Sequence, residues 1–201
     1  MKLRIASLSC SLACALVLAA CGGGKKAAST PGGKVAAGSI RAVDWNNRTY
    51  ANGDGTITVK DGQAEFEVDP EMPDIRGSLE IWPAVYGDVD GDGAEDAIVI
   101  TALNGGGSGT FTSGEFFVMR AGSAEPVRLG AIPGGDRGDG GLSAITIADG
   151  KVLVDRFQLA EDDAVCCASK LAKEVWHWDG KQFVEDEAAR QIIDNSESGG
   201  E

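Results

Sequence analysis

The chain has 201 residues, with 18 Lys and Arg against 31 Asp and Glu, one His, 29 Gly, 6 Pro, 5 Cys and 4 Trp. That length suits one or at most two domains with a core of their own. A formal charge of -13 excludes nucleic acid as a partner, because phosphate binding needs clustered cations. A hydrophobic share of 43% excludes wholesale disorder, and a single His leaves Ser-His-Asp, Cys-His and His-rich metal chemistry one candidate.

Residues 1–20 carry Lys2 and Arg4 and then an apolar stretch from Ile5 to Ala20. This is the n-region and h-region of a secretory signal, short for a membrane span of about 20 residues. The stretch ends Leu18-Ala19-Ala20-Cys21, which resembles the lipobox of bacterial lipoproteins. The resemblance implies a diacylglyceryl group on the Cys21 sulfur, followed by cleavage before it. The membrane is then a partner through the lipid anchor, since two or three acyl chains hold where one is marginal. Gly22 stands where an Asp would signal inner-membrane retention, so the resemblance implies the outer membrane, facing the periplasm, in a Gram-negative host. Residues 21–39 read as the lipidated cysteine and a flexible Gly-, Ala-, Ser- and Lys-rich linker.

From Ile40 onward short alternating segments predict strands, at 56–60, 63–69, 78–86, 96–103, 114–120, 126–131, 142–148, 151–157, 171–178 and 181–185. Asp-Gly dipeptides at 61, 149 and 179 fall between them, supplying the positive φ of tight turns. The expected fold is all-β: an antiparallel sheet, sandwich or small open barrel over 40–187. At most one short C-terminal helix is expected, a weak one in EDEAARQIID (185–194); residues 188–201 read as weak helix and disordered acidic tail.

The sharpest constellation lies between two of these strands. Counting Asp88 as the first position, Asp recurs at the first, third, fifth and ninth (Asp88, Asp90, Asp92, Asp96), with Gly93 at the sixth. Hard carboxylate oxygens that converge from alternate positions suit Ca2+, and glycine at the sixth permits the sharp turn. The pattern begins like an EF-hand, but Val99 stands at the twelfth position and a β-run follows. It resembles instead the calcium loops of FG-GAP and VCBS repeats. That resemblance implies side-chain ligands from Asp88, Asp90, Asp92 and Asp96 and a carbonyl ligand from Ala94.

Longer stretches, Gly87–Gly93 running into Asp96–Val99, then Gly106-Gly107-Ser108-Gly109-Thr110-Phe111, Gly135-Asp136-Arg137 and Asp163-Ala164-Val165-Cys166-Cys167-Ala168-Ser169, resemble a family of uncharacterised exported bacterial proteins and lipoproteins. No activity follows from it. Adjacent Cys166 and Cys167 admit a vicinal disulfide, reduced buried thiols, intermolecular bridges or metal. Trp176 and Trp178 flank His177 on a predicted strand and share a face, either as a sugar-stacking platform or as core cover. No catalytic residues can be assigned. The expectation is a lipid-anchored envelope protein with one calcium loop, a non-catalytic binding or structural module for an unknown envelope protein or glycan. The alternative is an envelope enzyme, a carboxylate hydrolase or a thiol-redox protein using Cys166 and Cys167.

Overall fold

A computed structural model describes residues 38–53, 55–136 and 138–196. The expected signal peptide, Cys21 and nearly all of the linker lie outside the described residues, as does the tail from 197. The described chain starts with a 3-10 turn, Ile40–Ala42, whose first free N–H, that of Arg41, donates to Ser39 Oγ at 3.3 Å. A two-stranded hairpin follows, β1 (Thr49–Asn52) and β2 (Gly55–Thr58).

The next six strands form one antiparallel sheet: β3 (Gln63–Glu67), β4 (Arg76–Ile81), β5 (Val85–Gly87), β6 (Asp96–Asn104), β7 (Phe111–Val118) and β8 (Val127–Asp136). Their order is β3-β4-β6-β7-β8, with β4 and β5 sharing one edge of β6. The single strand expected over 78–86 is therefore two. Pro83 has no N–H to give a ladder, so the chain steps out between Ile81 and Val85.

A second antiparallel sheet holds β9 (Leu142–Ala148), β10 (Lys151–Gln158), β11 (Lys170–Trp178), β12 (Phe183–Glu185) and β13 (Gln191–Asp194). Asp149 and Gly150 join β9 to β10 with φ of 52° and 71°, the two positive values that a tight primed turn requires. The helix expected over 185–194 is not there. A 3-10 turn at Glu187–Ala189 leads into β13, which pairs with Lys170–Lys173 of β11. The local helix preference of EAAR loses because β12 covers only Trp176–Trp178, leaving the rest of that edge to be paired.

The sheets stack face to face as a sandwich, without closing into a barrel. Ile98, Ile100, Phe116, Val118 and Ile132 of the first sheet meet Ile145, Val152, Val154 and Phe183 of the second. Gly114 makes room for this contact, since a Cβ there would stand 2.9 Å from Ile145 Cδ1. On the other face of the first sheet, Leu79, Ile81, Ala97, Val99 and Phe117 are covered by Ile40, Trp45, Tyr50, Ile57 and Val59. Strand β6 is thus buried on both faces, and Ala97–Ala102 reads as a nearly continuous apolar run rather than alternating. Each large core side chain contributes about 1.5–3 kcal/mol of burial.

Candidate metal centre

The loop between β5 and β6 is closed at its base by the pairing of Gly87 with Asp96. Val89 points down and is buried in the inter-sheet core, so its neighbours Asp88 and Asp90 turn the other way. The loop then folds on its own side chains. Asp88 accepts from Gly91 N–H at 2.8 Å and Gly93 N–H at 3.0 Å; Asp90 accepts from Asp92 N–H at 3.1 Å, and Asp92 from Ala94 N–H at 2.8 Å. The bonds of Asp90 and Asp92, each to the N–H two residues on, are Asx turns, the reason Asp rather than Glu recurs at this spacing, and Asp88 reaches three and five residues on to close the loop. Gly93 at the sixth position has φ +86°, a value costly for any side chain.

One carboxylate oxygen each from Asp88, Asp90 and Asp96 lies within 4.8 Å of the others. Asp96 is 1% exposed, and its Oδ2 accepts from Val89 N–H at 2.9 Å and Asp90 N–H at 3.2 Å. Burial pushes its carboxyl up to about 6, with Asp90 and Asp92 adding to the rise and the two backbone donors opposing it. A buried carboxylate among like charges is what a hard divalent cation relieves, and three carboxylates fit such an ion. The expected set is met in part. Asp92 is exposed and is not one of the three clustered carboxylates; its side chain serves the turn to Ala94 instead.

The loop also has a brace that motif reading missed. Arg41 donates to both oxygens of Glu95, at 2.6 and 2.7 Å, and its guanidinium lies 4.5 Å above the Tyr86 ring. The Tyr86 hydroxyl in turn accepts from Trp45 Nε1 at 3.1 Å. The Arg41 bond holds the Glu95 carboxyl below its usual range and raises the Arg41 guanidinium. Fifty-four positions separate the two residues, so no local signal could have found them.

Trp176 and Trp178 do share a face, but it is the inward one. Trp178 meets Phe116 and Phe183 edge-on at 5.1 and 5.2 Å, and Trp176 Nε1 donates to buried Glu174 at 2.9 Å. They are core cover, not a surface platform. Cys166 and Cys167 are bonded to each other, with sulfurs 2.25 Å apart, in the exposed loop between β10 and β11. Asp163 clasps that loop, accepting from Ala160 N–H and Ser169 N–H at 2.7 Å each, and those donors hold its carboxyl low.

Among the described residues no helix is long and apolar enough to cross a membrane. No family model, curated protein or solved structure matches the chain, so the functional reading stands on the geometry and chemistry of the site.

Proposed function

We propose that this chain is a lipid-anchored protein of the cell envelope whose aspartate loop binds one calcium ion, stiffening a non-catalytic binding or structural module. The observation that carries the metal reading is the approach of Asp88, Asp90 and Asp96 to within 4.8 Å, with Asp96 buried. Calcium suits a short, self-hydrogen-bonded loop better than magnesium. It takes six to eight oxygens in irregular geometry, so carbonyls and water complete what three carboxylates begin. The affinity expected is that of extracellular modules, about 0.1–1 mM. The anchor reading rests on Cys21 and the residues before it.

Titration calorimetry of the full chain against calcium and magnesium tests the first part. Calcium heat and a thermal shift, both lost in Asp90→Ala, are expected. Absence of both at millimolar calcium would sink the reading. Incorporation of labelled palmitate, lost in Cys21→Ser, tests the anchor.

A further inference from the structure

We propose that the cleft between the β1–β2 hairpin and the uncovered half of the first sheet binds a neutral saccharide residue. The proposal deepens the binding-module reading and rests on it, but does not require calcium. The cleft holds about 600 Å³, within the range of small-ligand pockets.

Its origin is the short reach of residues 40–59 over the sheet. On β7, period-two alternation puts Phe111, Ser113, Glu115 and Phe117 on one face of the sheet, beside Thr101 and Leu103 of β6. Phe117 is covered, with Trp45 at 4.8 Å and Tyr50 edge-on at 6.4 Å. Among the described residues the cover stops beyond it. Phe111 is 56% exposed at the start of its strand.

Side-chain chemistry changes where the cover ends. Glu115, nearly buried, accepts from Ser113 Oγ at 2.8 Å and is paired with Arg128. On the other wall Arg48 is paired with Glu125 at 3.1 Å. Each guanidinium facing the cleft already has its carboxylate, so the site offers donors and acceptors side by side without net charge. Among the described residues an anion would find no unpaired cation there, on a chain of formal charge -13. A cation would compete with Arg128 for Glu115. A wholly apolar ligand would strip water from Glu115, Arg128 and Ser113 and return no hydrogen bonds, an unfavourable exchange.

A sugar ring meets all three conditions. Its hydroxyls both donate and accept, matching a carboxylate flanked by a guanidinium and a hydroxyl. Its C–H face carries partial positive charge and suits the negative face of an aromatic ring, here the exposed Phe111 beside Leu103.

The test is saturation-transfer NMR and calorimetry of the full chain with N,N′,N″-triacetylchitotriose, cellohexaose and maltohexaose. At least one is expected to bind saturably with Kd of about 1 mM or tighter. Phe111→Ala, a truncation of an exposed side chain, is expected to keep the melting curve and weaken binding at least tenfold. Glu115→Gln tests the polar side at constant volume and is expected to weaken binding too. Failure of all three sugars to bind, binding unchanged in Phe111→Ala, or preference for an apolar peptide would each overturn the proposal. Asp90→Ala separates the two readings: sugar binding that survives there, with the calcium shift gone, is the expected result. Loss of sugar binding alongside an intact calcium response in the parent chain removes the saccharide and leaves the ion.

Discussion

At one end of the sandwich a single loop holds itself, while at the other three loops hold one another. Strand β6 runs between them, leaving the aspartate loop at Asp96 and reaching the glycine loop at Asn104, about 25–30 Å away. Among the described residues the side-chain hydrogen bonds that shape loop 88–96 come from within it, and the Arg41–Glu95 pair reaches in from outside. At the far end Asn104 braces its own loop through Gly107 and Gly109, but Thr110 N–H donates to Asp136. Asp139 accepts from Leu159 N–H, and Gly140 accepts from Arg156. A self-contained loop can be tuned for a ligand without disturbing the fold. A co-dependent end transmits every change to its neighbours.

The sharpest way to break that contrast is Glu174→Ala. Glu174 is 2% exposed and takes Arg156 Nε at 2.9 and 3.1 Å, Arg190 at 3.2 Å and Trp176 Nε1 at 2.9 Å. Arg156 then donates to the Gly140 carbonyl at 2.7 Å. Truncation leaves a nearly buried guanidinium without its carboxylate, a loss of about 3–5 kcal/mol in denaturant unfolding. Hydrogen exchange is expected to rise at 138–141 before it rises in the aspartate loop. Equal loss at both ends would show that they are not energetically distinct.

Asp96→Asn probes the self-contained end. A carboxyl whose folded value is raised contributes stability below its unfolded value of 3.8, and that contribution is lost as pH climbs through about 6. Asn keeps an acceptor for the Val89 and Asp90 N–H groups and removes the buried charge. Without metal at pH 7.5 the variant is therefore expected to be more stable than the parent, by up to about 3 kcal/mol, while near pH 4 the two converge. In calcium the order narrows or reverses, since only the parent gains from the ion, about 1.4 kcal/mol at ten times Kd. Thermal melts at both pH values, with chelator or calcium, read this directly.

Gly138→Ala is a smaller perturbation, aimed at the seam between two loops. A Cβ there would stand 2.1 Å from the Val165 carbonyl oxygen, a backbone atom that no rotamer change can move. The cysteine loop must shift, at about 1–3 kcal/mol. Faster exchange at Cys167 N–H, which donates to the Ala164 carbonyl at 2.9 Å, is the expected signature.

These effects track what the sequence makes legible. The aspartate loop was readable because its chemistry lies within nine residues, and Asx turns make spacing equivalent to geometry. Strands β9 and β10 were readable because alternation and an Asp-Gly turn agree. Strand β13 was not, because Gln191–Asp194 is exposed throughout and forms only to pair an edge whose vacancy depends on where β12 stops. Strand β1 carries one buried residue in four, too little for a pattern. The paired tryptophans show a shared face in the sequence but not its direction, since alternation cannot say which side of a sheet is covered. The Phe111 cleft depends on the same unknown, namely how far residues 40–59 extend over β7.

The cysteine pair supplies the smallest effect. A cross-link stabilises mainly by removing conformations from the unfolded chain, and that gain grows with the length of the loop it closes. Bonding Cys166 to Cys167 encloses no intervening residue, and both side chains are exposed, so little burial depends on the bond. The loop is held instead by Asp163, through its two backbone donors, and by the Val165 carbonyl against Gly138. The double variant Cys166→Ser, Cys167→Ser is therefore expected to shift unfolding by less than about 0.5 kcal/mol, the ordinary range for surface substitutions. Asp163→Ala, which leaves the bond intact, is expected to loosen the segment more, seen as faster exchange at Ala160 and Ser169. If the serine variant instead loosened the loop as much as Asp163→Ala, the sulfur bond and not the aspartate would be the element that fixes this part of the co-dependent end.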